Sequence, residues 1–362
     1  MKRCPSDGHE DARSPRPFRL GKGLRGPVRT AVIFAVILGL VDAPLRYVQA
    51  APADTRVNIA ELTPDVESAI DRGLKFLSTQ QNKDGSWGRE YKVAGTSLTL
   101  MAFMLKGNFP RKGQYGVMLD KGVEYLIKKS NDGAGYMGIN MYEHGLATLA
   151  LSEAWGMSDR DEIRDVLKRA VEVIIKSQNN AGGWRYDPRP VDADISVTVM
   201  QVVALSSARE AGILVPSKVI EKAVKYVKSC QVKSNGGFGY TGPQDPIFSR
   251  SAAGTMSLLM SGERDTPAVR KALEYLRKLP DSKFTNLTGF YLYGHYYAIQ
   301  SMYQAGEDYY QDWYPHIRDV LLTKQAKDGS WRVPDASDSA YGASMSILIL
   351  GVPYRYLPIY QR

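Results

Sequence analysis

The stretch Arg72-Gly73-Leu74-Lys75-Phe76-Leu77-Ser78-Thr79-Gln80-Gln81-Asn82-Lys83-Asp84-Gly85-Ser86-Trp87 reads as the end of a helix, a glycine turn and a tryptophan. With Arg72 as first position and Gln81 as tenth, the pattern runs basic, small, two variable residues, aromatic or branched, aliphatic, three variable, Gln, then Gly-x-aromatic. It returns as Lys121-Gly122-Val123-Glu124-Tyr125-Leu126 with Gly133-Ala134-Gly135-Tyr136, and as Arg169-Ala170-Val171-Glu172-Val173-Ile174 with Gln178 and Gly182-Gly183-Trp184. Lys222-Ala223-Val224-Lys225-Tyr226-Val227 follows, with Gln231 and Gly236-Gly237-Phe238. A fifth copy, Lys271-Ala272-Leu273-Glu274-Tyr275-Leu276, loses its Gln and its Gly-aromatic end; a sixth keeps Leu321, Gln325 and Gly329-Ser330-Trp331. The tenth positions fall at 81, 130, 178, 231, 280 and 325, in steps of 49, 48, 53, 49 and 45 residues. A period of this size marks an array of supersecondary units.

Each unit holds two apolar helical patterns. Before the glycine turn, Ile70, Leu74 and Leu77 share one face at i, i+4 and i+7. After it come runs that are apolar nearly all round, within 97–105, 144–155, 195–208, 251–260, 291–303 and 341–350, as expected of helices buried on every side. The expected fold is all-α: six helical hairpins, twelve helices in two concentric layers, an α/α toroid over residues 65–352. An open solenoid needs polar terminal caps, and Met345-Ser346-Ile347-Leu348-Ile349-Leu350 is too apolar to be one, so the pattern favours closure.

The Gly-x-aromatic ends are expected to be structural, with glycine stopping the outer helix at positive φ and the ring covering the helix end; no cofactor is expected there. The first copy resembles the repeat of squalene cyclases and their relatives, a superfamily that includes protein prenyltransferase β subunits. The resemblance covers about residues 65–350. It implies a twelve-helix α/α toroid with a central cavity, and it implies function only weakly, because function sits in sites grafted on a fold.

Residues 1–50 carry nine Lys or Arg and four Asp or Glu, so they hold +5 of the total net charge of +9. The remaining +4 is too small and scattered to argue for nucleic acid. Ala31–Val41 is an eleven-residue apolar run behind Arg25 and Arg29, too short to span a bilayer. Val48-Gln49-Ala50 offers a small-x-small cleavage site. The segment reads as a secretory signal with a long basic leader, giving an exported chain starting near Ala51; the alternative is an uncleaved N-terminal anchor, with contact at a membrane surface. Cleavage would leave only Cys230, so no internal disulfide is expected. Residues 51–64 form a lead-in, with Thr63 or Asp65 marking the helix start around Pro64. Residues 353–362, rich in Pro and Tyr, are expected to form an extended closing strap.

In this topology the N-termini of the inner helices open on one mouth of the cavity. Residues expected there are Tyr142, Glu143 and His144, then Asp192 and Asp194, then Arg250, Tyr293, His295, Asp338 and Tyr341. Carboxylates at helix N-termini also serve as caps. Asp192-Ala193-Asp194-Ile195 resembles the Asp-x-Asp-Asp motif by which squalene cyclases and other class II terpene cyclases protonate an alkene. The resemblance puts Asp194 at the proton donor and Asp192 at its supporting carboxylate, and Ile195 stands where the third carboxylate belongs. The zinc set of prenyltransferases has no counterpart, and no metal site is expected; His144, His295, Asp194 and Asp338 lack close ligand spacing.

Three readings follow. The first is an exported toroid that binds an apolar, isoprenoid-like ligand in its cavity or a protein partner at its rim. The second is a terpene cyclase or isomerase using Asp194 as general acid on a polyprenoid. The third is a polysaccharide-processing enzyme, with Tyr142, Tyr293, Tyr296 and Tyr341 stacking on sugars and Glu143 paired with Asp194 or Asp338.

Overall fold

A computed structural model describes residues 62–354 and 357, except 159, 190, 288 and 334–337. The expected signal and most of the expected lead-in therefore lie outside the described residues. In chain order the helices are α1 (Pro64–Ser78), α2 (Lys92–Leu105), α3 (Gly116–Asp132), α4 (Met141–Trp155), α5 (Asp161–Ser177), α6 (Ile195–Glu210) and α7 (Ser217–Ser229). Then come α8 (Phe248–Met260), α9 (Pro267–Lys278), the single turn α10 (Ser282–Thr285), α11 (Tyr291–Ala305), α12 (Glu307–Lys324) and α13 (Ser339–Leu350). There is no strand among the described residues; three isolated bridges, Trp184–Asp194, Gln231–Phe238 and Gln325–Trp331, pinch the turns.

The two layers follow from the two hydrophobic patterns. On the outer helix α5, Ile163, Val166, Leu167, Ala170, Val171 and Ile174 are buried, a single stripe at helical spacing. On the inner helix α6 every residue from Val197 to Ala208 is buried. Several hydroxyls in the inner layer bond within their own helix: Thr148 Oγ1 donates to the His144 carbonyl and Ser152 Oγ to the Thr148 carbonyl, both at 2.8 Å.

The repeat residues form the joints between units. Trp87 Nε1 donates to the Leu77 carbonyl, Trp184 Nε1 to Ile174 and Trp331 Nε1 to Leu321, at 2.7–2.8 Å. Each tryptophan is buried and caps the last turn of its own outer helix. The backbone N–H groups of Trp87 and Trp184 donate to Thr96 and Thr198 Oγ1, and that of Phe238 to Ser251 Oγ.

The glycine does not stop the outer helix, as the sequence suggested. Helix α5 ends at Ser177, and Gly182 comes five residues later at φ +99°. There a Cβ would stand 2.2 Å from the carbonyl oxygen of Lys222, the first position of the next unit. The glycine is required both by its left-handed φ and by this close approach.

Closure follows from the tenth-position glutamines. Gln81 Nε2 donates to the Met118 carbonyl at 2.8 Å, Gln178 to Val219 at 2.9 Å and Gln231 to Ala268 at 2.8 Å. Each acceptor lies three residues before the first position of the following unit. Gln325 makes the same bond, at 2.7 Å, to Ala69 of the first unit. Gly329 likewise abuts the Arg72 carbonyl, and α13 packs on α1 and α2. The six hairpins form a closed ring.

Thr63 caps α1, its Oγ1 accepting from the Val66 N–H, with Pro64 in the first turn. Outer-helix C-termini and inner-helix N-termini share one end of the ring, the mouth; the start of α1 and the end of α13 lie at the other. After α13, Val352–Tyr354 forms a 3₁₀ turn where an extended strap was expected. Leu357 is buried, and the rest of the strap lies outside the described residues. Among the described residues no helix is long and apolar enough to cross a membrane.

Candidate functional site

The mouth carries a basin of about 330 Å³ lined by residues of units two to six. Tyr142, Ser196, Arg250, Tyr293 and Tyr341 come from the first turns of inner helices; Tyr186, Tyr240 and Phe290 come from the loops above them. Helix starts converge here because every hairpin turns at this end, so one residue from each of several units reaches the same space.

Tyr142 and Tyr293 belong to the second and fifth units, on opposite sides of the ring. Their rings lie 6.4 Å apart, edge to face, and the Tyr293 hydroxyl donates to the Ser196 carbonyl at 3.5 Å. Tyr297 meets Tyr293 edge to face, with ring centroids 4.9 Å apart, and its hydroxyl donates to Met200 Sδ at 3.5 Å. The floor of the basin is thus a set of crossed tyrosines. Burial pushes the Tyr142, Tyr293 and Tyr297 hydroxyls well up, so they stay protonated donors at neutral pH. Tyr186 and Phe290 stand open at the rim, 44% and 66% exposed. Phe290 holds φ +61°, ψ 39°, a left-handed conformation that is costly for a bulky residue.

Asp194 is fully buried and caps α6, with Oδ1 accepting from the Val197 N–H at 2.9 Å. Its Oδ2 accepts from the Tyr240 hydroxyl at 3.2 Å and faces Arg185 Nε at 3.6 Å. Arg250, also expected at the mouth, lies over the Tyr240 ring, 5.1 Å from its centroid. Burial pushes the Asp194 carboxyl up, opposed by the Val197 amide, Arg185 and Tyr240. Asp192 is exposed and pairs with the same Arg185 at 3.6 Å. The two carboxylates therefore converge on an arginine, and neither lines the basin.

The other expected mouth residues divide. Tyr142, Arg250, Tyr293 and Tyr341 line the basin. Glu143 is turned to the neighbouring unit: Oε1 accepts from the Val93 and Ala94 N–H groups at 3.0 and 3.1 Å, and Oε2 from the Ile139 N–H at 2.9 Å. It caps the start of α2, whose own N-cap residue Tyr91 offers no side-chain bond. His144 is buried against the outer layer, with Nδ1 accepting from the Met137 N–H and Nε2 donating to the Ala170 carbonyl. His295 is boxed by Phe248, Phe284, Tyr291 and Trp313, with Nε2 donating to the Lys283 carbonyl. Burial lowers their pKa values to about 4 and about 3. Asp338 caps α13 through the Ala340 N–H and accepts from the Arg89 N–H, both at 2.8 Å. Glu143, His144 and His295 are therefore structural and do not reach the basin. Among the described residues no three His, Cys, Asp or Glu side chains group as a metal-ligand set.

Sequence reasoning missed Arg185, Tyr186, Tyr240 and Phe290. The signal for two of them was the repeat itself. Tyr186 and Tyr240 each stand two residues after the repeat aromatic, and Arg89 holds the same position in the first unit.

No protein-family profile matches the chain. The alpha-2-macroglobulin homolog of Yersinia pestis is 25% identical over 231 residues, which is 53% of this chain and 11% of that protein. The chain thus spans only a small part of that relative. A solved alpha-1,6-mannanase variant from Salegentibacter sp., in complex with alpha-1,6-mannotriose, superposes with a TM-score of 0.61 at 10% identity, over 79% of this chain and 98% of that one. Cellobiose 2-epimerase from Bacillus thermoamylovorans gives 0.59 at 11%, over 79% and 98%. A variant of the type II terpene cyclase MstE from Scytonema, in complex with geranylgeranyl dihydroxybenzoate, gives 0.55 at 16%, over 81% and 98%. At these identities the likeness is one of fold, and the fold is an α/α toroid.

Proposed function

We propose that the protein is a binding protein whose mouth holds a saccharide against the tyrosine wall. The observation that carries this is the basin itself: open, walled by Tyr142, Tyr186, Tyr240, Tyr293 and Tyr341, and edged by Arg250. Tyrosine offers a flat apolar face and a hydroxyl edge. A pyranose ring offers the complementary C–H face and hydroxyls. A cavity of about 330 Å³ falls within the usual size for a small ligand. Two toroid neighbours are, by their names, proteins that act on sugars. The cyclase reading is less favoured, because a proton donor must face its alkene, and Asp194 is sealed beneath Tyr240 and Arg185.

The aromatic wall also favours a second reading, an apolar isoprenoid-like ligand, as held by the terpene cyclase neighbour. A panel of immobilised oligosaccharides, run beside mass spectrometry of co-purified lipid, separates the two. Saccharide binding that is lost in Tyr186→Ala supports the first reading. A polyprenoid that co-purifies, with no saccharide retained, replaces it with the second.

We further propose that the chain is exported, from the basic leader, apolar run and Val48-Gln49-Ala50 site. Mature protein then begins at or near Ala51; N-terminal sequencing that finds an intact leader on membrane-bound protein rejects cleavage.

A further inference from the structure

The basin does not end at Tyr341. The same ring also lines a second cavity of about 320 Å³, with Arg89, Glu90, Tyr91 and Asp338. This cavity sits on the seam where the sixth unit meets the first. Its shape is set by the closure. Asp338 has both carboxylate oxygens engaged, one with its own helix start and one with the Arg89 N–H, so the rim loop of unit one is fixed to α13. Beneath that loop, Gly95 leaves bare backbone: a Cβ there would stand 2.7 Å from the Trp87 carbonyl oxygen. Above it Tyr91 is 48% exposed, and Glu90 lines the same cavity beside it. The seam thus repeats the chemistry of the basin, with an accessible tyrosine plate, a shared tyrosine wall, and an arginine and a carboxylate as polar edges.

We propose that this seam cavity is a second binding subsite, taking the further residues of a saccharide chain whose first residues stack in the basin. The inference rests on the saccharide reading above and deepens it: the ligand is a chain, and a single sugar leaves half of the trough empty. Tyr341 is the partition over which the chain passes. The polar groups suit neutral hydroxyls, since Arg89 and Glu90 lie side by side with opposite charge.

The test is calorimetric titration of the protein with a size series of alpha-linked gluco- and manno-oligosaccharides, disaccharide to hexasaccharide, on wild type, Tyr91→Ala and Tyr186→Ala. Tyr91 is half exposed, and thermal melts check that its variant folds. In wild type, affinity is expected to rise by about tenfold or more from disaccharide to hexasaccharide. Tyr91→Ala is expected to abolish that gain, so that the hexasaccharide binds no tighter than the disaccharide. Tyr186→Ala is expected to weaken every member of the series. Affinity independent of length, or a gain with length that survives Tyr91→Ala, overturns the seam subsite while leaving the basin reading intact. No binding of any member to wild type overturns the saccharide reading and the subsite with it.

Discussion

The side-chain amide of Gln325 donates to the carbonyl of Ala69 at 2.7 Å, joining the last repeat to the first across 256 residues of sequence. It also reaches the Gly329 carbonyl, while Arg72 donates to Gln325 Oε1 at 2.5 Å. Gln325→Ala is expected to cost about 1–3 kcal/mol, as for a group serving several buried partners. Gln178→Ala, at an interior joint, is expected to cost a similar amount. Urea titrations of both variants check this. A Gln325→Ala curve that overlays wild type, beside a shifted Gln178→Ala curve, would show that the seam is open in solution.

Truncating Trp184 removes a fully buried ring and its bond to Ile174. Trp184→Ala is expected to lower stability by about 3–5 kcal/mol. An unfolding midpoint like that of a surface variant rejects the joint-packing role of the repeat aromatic.

Two glycines separate backbone strain from close approach. Gly182 and Gly212 both have positive φ, but a Cβ at Gly182 meets the Lys222 carbonyl at 2.2 Å, while one at Gly212 meets nothing within 4 Å. Gly212→Ala is expected to cost about 1 kcal/mol, the left-handed penalty alone. Gly182→Ala should cost clearly more, because the next outer helix must move. Equal melting points for the two variants contradict the docking of each turn on the following unit.

The outer turns were legible in the sequence because one spacing recurs in unit after unit, so Gln81, Gly85 and Trp87 announce a joint wherever they reappear. The mouth was only half legible. Tyr142 and Tyr293 were expected there, yet nothing local says that they meet at the centre, since they come from opposite units. Helix phase decided the rest. His144 follows Tyr142 by two residues, about 200° around the helix, and so points to the outer layer while Tyr142 points to the centre. Glu143 was misplaced for a different reason. It serves α2, a helix whose start offers no cap of its own, and a missing cap becomes informative only once the neighbouring helix is in view. Asp194 looked like an acid because of its spacing from Asp192; Arg185, which both engage, hides in the turn after Trp184.

Asp194→Asn keeps the capping acceptor and removes a charge whose burial already disfavours it. The variant is expected to fold with a change of about 1 kcal/mol or less and to retain ligand binding. If purified protein converts a polyprenoid, and Asp194→Asn abolishes that turnover while remaining folded, the enzyme reading replaces the binding one.

The two buried histidines make stability fall in acid. An unfolded histidine titrates near 6.5; His144 and His295 do so at about 4 and about 3 in the folded chain. Below about pH 6.5 the unfolded chain therefore binds protons that the folded chain does not. Stability is full above that value and drops by about 1.4 kcal/mol per pH unit for each histidine, until the folded pKa is reached. Urea midpoints between pH 7 and pH 5 check the slope, and His144→Gln should flatten it. A midpoint constant over that interval rules the histidines out.

Where those histidines stand gives the ring a grain. The tenth position is glutamine at four joints but Ser130 at the second and Pro280 at the fifth. The glutamine staples therefore bind units six, one and two into one arc, and units three, four and five into another. His144 crosses from the second unit to Ala170 of the third, and His295 lies 6.0 Å from Trp313 of the sixth. Each gap between the arcs thus holds a neutral imidazole as its clasp, on opposite sides of the molecule. Acid weakens the clasps and leaves the staples untouched, so the two joints without a glutamine are the ones expected to lose stability as the pH falls.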